Sequence, residues 1–227
     1  MRWAWLLVFA GCQFSVTLAP ESEIPFCDPN EPMLVACYEL DGTTRDGTAN
    51  QLHASMTDVT FIGGMAGLAM QFGATSAADV ADSPKFDVAA LTIEAWIAPL
   101  MLPATGQRAG ILDMNGQYGF FVHEAGRLQC TAGGANSLQL DANISTAAWT
   151  HVACAYDGVT MRVYVNGAKL FEGGGGGAIA TGGSTGISIG ADNPPGSGSR
   201  LIGAIDQVRL WARVRTDAEI CEAAGCE

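Results

Sequence analysis

WTHVACAYDGVTMRVYVNG, running from Trp149 to Gly167, decides the fold class. Asp157-Gly158 divides two runs of β-branched and aromatic residues, and Asn166-Gly167 closes the second. Both dipeptides tolerate the positive φ of a tight hairpin turn, so the stretch predicts antiparallel strands joined by short turns. Alternation puts Val152, Cys154 and Tyr156 on one face of the first strand.

The same rhythm extends in both directions. LTIEAWIAPL (Leu91–Leu100) alternates, with Leu91, Ile93, Ala95 and Ile97 sharing a face. AGILDM and YGFFVHE flank Asn115-Gly116, and Glu124-Ala125-Gly126 turns into RLQCTA. MLVACYEL (Met33–Leu40) ends at Asp41-Gly42 and sets Ala36, Tyr38 and Leu40 on one side. GLAMQF (Gly67–Phe72), GISIGA (Gly186–Ala191) and LIGAIDQVRLWA (Leu201–Ala212) complete the series. Short strands between turn residues, with 29 glycines, predict an all-β sandwich or barrel. One short helix is expected at the end, where Thr216 and Glu219 have the spacing of a capping box. The glycine run 173–177 and the segment Pro194–Ser199 read as loops. Neither leads into a Lys or a helix start, so neither is a phosphate cradle.

Composition narrows the partners. Eleven Lys and Arg face 23 Asp and Glu, a formal net charge of −12, and no basic run interrupts this balance. Such a surface repels phosphate backbones, which excludes nucleic acid. Excess carboxylate suits a hard cation such as Ca²⁺.

The N-terminus reads as an export signal. Arg2 precedes the apolar run Trp3–Ala10, which is too short for the ~20 residues that a membrane span needs. Phe9-Ala10-Gly11-Cys12 resembles a bacterial lipobox, with Phe9 where Leu is usual. Residues 1–12 are accordingly expected to form a lipoprotein signal peptide with Cys12 as the lipidated residue. Residues 13–26, holding Pro20, Glu21, Glu23 and Pro25, are expected to be a tether, and residues 27–227 the domain. Gln13 is not the Asp that can retain lipoproteins in the inner membrane, so the expected address is the outer membrane of the bacterial envelope. Six cysteines remain after Cys12, and an even number in an exported chain predicts disulfides.

The order of motifs is similar to that of laminin G-like, concanavalin A-like jelly-roll domains. The resemblance rests on CYELDG with Asp46-Gly47 and Leu52-His53-Ala54, then LTIEAWIAP, WTHVACAYDG, RVYVNG and GAIDQVRLWAR. It runs from Met33 to Cys221 and looks closest to the Cys-containing bacterial versions of exported proteins. It implies a two-sheet antiparallel jelly-roll sandwich with adjacent first and last strands and one short C-terminal helix. It also places Cys130 and Cys154 on near-neighbour strands, where a bond is expected. For the four terminal cysteines the expectation is Cys37–Cys221 and Cys27–Cys226. Related folds often hold a structural Ca²⁺ where the first and last strands meet, and Asp41, Asp46 and Asp206 are the candidate ligands. Asp206 has a second reading of equal weight, as an acceptor from nearby backbone or a partner of Arg209.

Hydrolysis is not expected. A glycosidase needs two carboxylates across one sugar bond. The β-glucanase relatives carry Glu-x-Asp-x-x-Glu on one strand, whereas Glu94 is followed by Trp96 where the second acid would stand. His53, His123 and His151 are scattered, and no Gly-x-Ser-x-Gly elbow is present. The expected function is a non-catalytic cell-envelope binding module, lectin-like or adhesive, recognising glycan or protein. The alternative is a structural envelope protein without a small ligand, and a glycoside hydrolase stands third. Candidate ligand residues are Arg108, Asn115, Gln117 and Asp192, in the loops Leu102–Ala109, Leu112–Tyr118 and Ala191–Arg200. Trp96 and Trp149 are read as packing residues in preference to a sugar platform.

Overall fold

The computed structural model describes residues 26–183, 185–196 and 199–226. The strands run in order β1 (Leu34–Tyr38), β2 (Ala54–Thr57), β3 (Thr60–Gly63), β4 (Leu68–Phe72), β5 (Ala77–Val80) and β6 (Leu91–Met101). Then come β7 (Arg108–Met114), β8 (Tyr118–His123), β9 (Leu128–Ala132), β10 (Ala135–Asn136) and β11 (Thr150–Tyr156). The last are β12 (Thr160–Val165), β13 (Ala168–Gly174), β14 (Ile187–Ile189) and β15 (Ile202–Trp211), followed by helix α1 (Asp217–Ala223).

Two antiparallel sheets result. One has eight strands in the order β13-β12-β11-β6-β15-β4-β3, with β1 also paired to β15. The other has seven, in the order β10-β9-β8-β7-β14-β5-β2. The first strand thus lies beside the last, as the jelly-roll resemblance implies. Alternation fills the space between the sheets. Leu91, Ile93, Ala95 and Ile97 of β6 meet Tyr118, Phe120 and Val122 of β8 in one core cluster. Burying each large apolar side chain stabilises by about 1.5–3 kcal/mol, which is what holds one sheet on the other.

Two bulges set directions that matter below. In β7 the register shifts between Gly110 and Leu112, so that Ile111 and Leu112 both enter the core while Arg108 and Asp113 point outward. In β15 a shift between Asp206 and Arg209, with Gln207 at φ 51°, turns both charged residues away from the core. There the strand's second edge changes partner, pairing with β4 before the bulge and with β1 after it.

Helix α1 begins with the expected capping box, Thr216 Oγ1 accepting from the Glu219 amide and Glu219 accepting in return. It lies over the outer face of β11 and β12, where Ile220 packs on Ala153, Ala155 and Tyr164. This placement overturns the expected terminal disulfides. Cys37 lies on β1, and β15 and β6 separate β1 from the strands beneath α1. Cys221 therefore bonds to Cys226, five residues on, where the left-handed Gly225 folds the chain back. Cys37 bonds to Cys27 instead, with Cα atoms 5.6 Å apart, as the segment before β1 folds over that strand. Cys130 and Cys154 do pair, and they cross the core from β9 in one sheet to β11 in the other.

Phe26, expected at the end of the tether, packs against Cys27, Leu34, Cys37 and Trp211, so the domain edge includes it. Cys12 and the rest of the expected signal peptide and tether, residues 1–25, lie outside the described residues. Among the described residues no helix is long and apolar enough to cross a membrane.

Candidate functional site

The outer face of the seven-stranded sheet carries a line of short polar groups. Strand register places Asn136, Thr131, Gly119, Asp113, Ser188 and Asp79 opposite one another in a row across β10, β9, β8, β7, β14 and β5. Each points outward because its neighbours in sequence point inward, as Leu112 and Met114 do beside Asp113. A second row runs alongside, with Gln129 opposite Phe121 and Phe121 opposite Gly110. Gly119 lets the Phe121 ring lie flat on the sheet, because a Cβ at position 119 would collide with it.

Over that ring lies Arg108, its guanidinium carbon 3.8 Å from the ring centroid. Arg108 Nε donates to Asp192 Oδ2 at 3.0 Å, so the loop after β14 closes one side. The same loop donates from the Asn193 amide to Asp113 Oδ2 at 2.7 Å. On the other side, Gln117 Nε2 donates to Asp87 Oδ1 at 3.0 Å. Between these walls is a cleft of about 300 Å³, lined by Arg108, Asp113, Asn115, Gln117, Phe121, Thr131 and Asn136 among others. Arg108, Asn115 and Gln117 thus share one cleft, and Asp192 reaches it through its ion pair. Asp113, Phe121, Thr131 and Asn136 were not singled out in the sequence. The outward parity of Asp113 in ILDM was the available signal.

Two acceptors in this neighbourhood are buried without a hydrogen-bonding partner, Gln117 Oε1 and Asp192 Oδ1. Burial pushes Asp113 up to about 6, with Asp192 adding repulsion, while the Asn193 amide and Arg108 hold it down. Burial also raises Asp192, against the pull of Arg108. One residue lining the cleft, Gln117, thus holds an acceptor without a donor, and Asp192 holds another behind Arg108, a need that a hydroxyl can meet.

A larger cavity of about 510 Å³ lies at the other sheet, beside β1 and β15. Its charged floor is an ion cluster centred on one carboxylate, in which Arg209 Nε and Arg215 Nε make no hydrogen bond. Glu94, 1% exposed, takes Arg215 Nη1 at 2.7 and 2.6 Å, Arg209 Nε at 2.6 Å and Trp211 Nε1 at 3.1 Å. Arg213 and Arg215 stack at 4.8 and 4.9 Å over Trp211. Glu94, shielded in this way, is closed to substrate. His151 stands 3.9 Å from Glu94, and burial pushes it down to about 4 although Glu94 opposes this. His123 contacts Gln129 at 2.7 Å, and His53 accepts from the Asp46 amide, so the histidines remain apart. Trp96 is half-buried, edge-on to His151 at 5.3 Å, and Trp149 lines a small groove with Leu100 and Ile62 on the outer face of the eight-stranded sheet.

The three candidate calcium ligands do not converge. Asp46 accepts from the amides of Cys37, Thr48 and Leu52 and from Thr48 Oγ1, organising the loop after β1. Asp206, fully buried, accepts from the amides of Met65 and Ala66 in the β3–β4 turn, and Asp41 accepts from Leu68 of that turn. Arg209 turns to Glu94 and leaves Asp206. Asp206 Oδ1 has no partner, yet among the described residues no three His, Cys, Asp or Glu side chains group as a metal site. The three carboxylates therefore do not form one site: Asp46 serves its own loop, apart from Asp41 and Asp206 at the β3–β4 turn.

Comparison with known proteins agrees with this architecture. No curated protein matches the chain. Domain 4 of AbnA, a GH43 extracellular arabinanase from Geobacillus stearothermophilus solved with arabinotriose, superposes with a TM-score of 0.69 at 20% identity. The match covers 84% of this chain and 98% of that domain. The binding domain of Paraclostridial Mosquitocidal Protein 1 gives 0.68 at 16% identity, over 84% of this chain and 51% of that one. A structure of botulinum neurotoxin type C, whose cell entry depends on two ganglioside molecules, gives 0.63 at 14% identity over 84% and 50%. The chain thus spans about half the length of these two toxin structures. A family model matches residues 72–221, from the last residue of β4 into helix α1. By that match, and by the two-sheet architecture itself, the chain belongs to the concanavalin A-like lectin/glucanases superfamily, of laminin G type.

Proposed function

We propose that this chain is a non-catalytic, lectin-like module that binds glycan in the cleft on the seven-stranded sheet. The observation that carries the reading is the juxtaposition of Arg108 over Phe121 with the unpartnered acceptors Gln117 Oε1 and Asp192 Oδ1. Sugar hydroxyls offer the donors these groups lack, while the Phe121 ring, buried beneath Arg108, holds that guanidinium in place. The arabinotriose complex and the ganglioside dependence of the two structural neighbours support a glycan ligand in this fold. Catalysis is disfavoured because the acid considered from sequence, Glu94, is sealed by Arg209, Arg215 and Trp211. The test is an immobilised glycan panel read with wild type and Arg108→Ala. Wild type retains at least one glycan, releases no product from it, and the variant loses it. Turnover of any bound oligosaccharide would make the chain a hydrolase.

A second reading, structural assembly in the envelope, is favoured by one feature. Leu100 is 51% exposed beside Ile62 and Trp149. Concentration-dependent sedimentation that collapses in Leu100→Asp would support it. In either case we propose export and lipid anchoring through Cys12 at the bacterial envelope. Fatty-acid labelling abolished by Cys12→Ala tests that address.

A further inference from the structure

We infer that the cleft selects neutral sugars and rejects those bearing a carboxylate. The inference rests on the glycan reading of this site and adds the class of ligand. It follows from the charge and the hydrogen-bonding capacity of the walls. Arg108 is the one cation among the residues lining the cleft, and Asp192 already faces its Nε at 3.0 Å. Asp113 adds a second carboxylate against that single guanidinium. An incoming carboxylate would therefore meet a site whose positive charge is neutralised and whose remaining charge has its own sign. Like-charge juxtaposition of this kind is a strong means of excluding a ligand.

The unfilled capacity points the same way. Gln117 is 6% exposed, its amide nitrogen is held by Asp87, and its Oε1 has no partner. Asp192 keeps one oxygen on Arg108 and leaves the other, Oδ1, without a donor. Each of these atoms needs an O–H or N–H. A hydroxyl supplies one and a carboxylate does not. The size of the cleft, about 300 Å³, is at the small end for ligand sites, so it suits one or two sugar units in place of a long chain segment. The whole molecule carries −12, which repels an anionic polymer before contact.

The experiment measures binding of pairs of equal length that differ in carboxylation, galactobiose with digalacturonate and galactotriose with trigalacturonate, extended to arabinotriose with cellotriose as further neutral probes. Wild type, Arg108→Ala, Thr131→Trp and the double variant Asp113→Asn/Asp192→Asn are compared, each checked by melting to be folded. The expected result is a neutral probe bound at least tenfold more tightly than its carboxylated partner. That ratio falls toward one in the double variant, and filling the cleft in Thr131→Trp removes binding. Equal or tighter binding of the carboxylated member, lost in Arg108→Ala, would overturn the inference and leave the site in place. Binding that survives both Arg108→Ala and Thr131→Trp, or no binding to any probe, would overturn the site together with the inference.

Discussion

Arg215 places Nη1 2.7 and 2.6 Å from the two carboxylate oxygens of Glu94, tying the segment after β15 to the middle of β6. Both residues are buried, and Arg209 supplies a second cation to the same carboxylate. Removing one partner of such a pair leaves a charge without compensation. Arg215→Ala is expected to lower stability by about 3–5 kcal/mol, read from the urea midpoint at constant m. A loss under about 1 kcal/mol would mean that the pair is hydrated in solution.

The bond between Cys130 and Cys154 joins the two sheets through the core and closes 24 residues of sequence. In the chain-entropy model this is worth about 3 kcal/mol. The Cys130→Ala/Cys154→Ala variant should lose at least that much, whereas Cys221→Ala/Cys226→Ala, which closes a separation of 5, should lose distinctly less. The reverse ranking in denaturant melts would contradict the placement of the core bond.

Two buried groups pull stability in opposite directions as pH falls. Asp113 is raised to about 6, so between pH 6 and 4 the folded chain keeps a proton that the unfolded chain has lost, and stability grows on acidification. His151 is lowered from 6.5 to about 4, so over the same window the unfolded chain takes up the proton and stability falls. In wild type the two offset. Asp113→Asn is expected to steepen the loss between pH 7 and 4.5 by on the order of 2 kcal/mol, and His151→Gln to reverse it. Parallel profiles for all three proteins would place neither group where the structure has it.

Much of this fold was legible in the sequence, and its gaps have physical causes. Leu91 to Ile97 and Tyr118 to Val122 alternate cleanly because one side of each strand meets the core. The strands β2 (ASMT), β3 (TFIG), β5 (AADV) and β10 (AN) escape a sequence reading because they are short, and β13 (AKLFEGG) because it is mostly exposed; β13 takes in Gly173 and Gly174, which corrects the expected loop 173–177. The terminal disulfides were misassigned because pairing depends on which strands α1 covers, and sequence carries no record of that. Arg108, Asn115, Gln117 and Asp192 were found as loop residues, but their meeting in space follows from the β7 bulge. There Ile111 and Leu112 both turn inward, so alternation counted from Arg108 misplaces Asp113, and only its seat between the apolar Leu112 and Met114 marks it as outward.

Calcium gives a prediction of small effect. Asp46 is committed to four donors, and only Asp41 and Asp206 share a turn. Millimolar Ca²⁺ is expected to change Tm by no more than about 1 °C relative to chelator, since little binding energy is available to the folded state. A rise of several degrees that disappears in Asp206→Asn would instead establish an ion at the β3–β4 turn.

The central claim is that ligand meets the outer face of the seven-stranded sheet, and amide chemical shifts of the oxidised protein test it most directly. On titration with the neutral oligosaccharide that binds best, shifts are expected at Gln117, Gly119, Thr131, Gly134 and Asn136, with little change at Trp96, Trp149 and Leu100. Shifts confined to those last three, on the opposite sheet, would contradict the account.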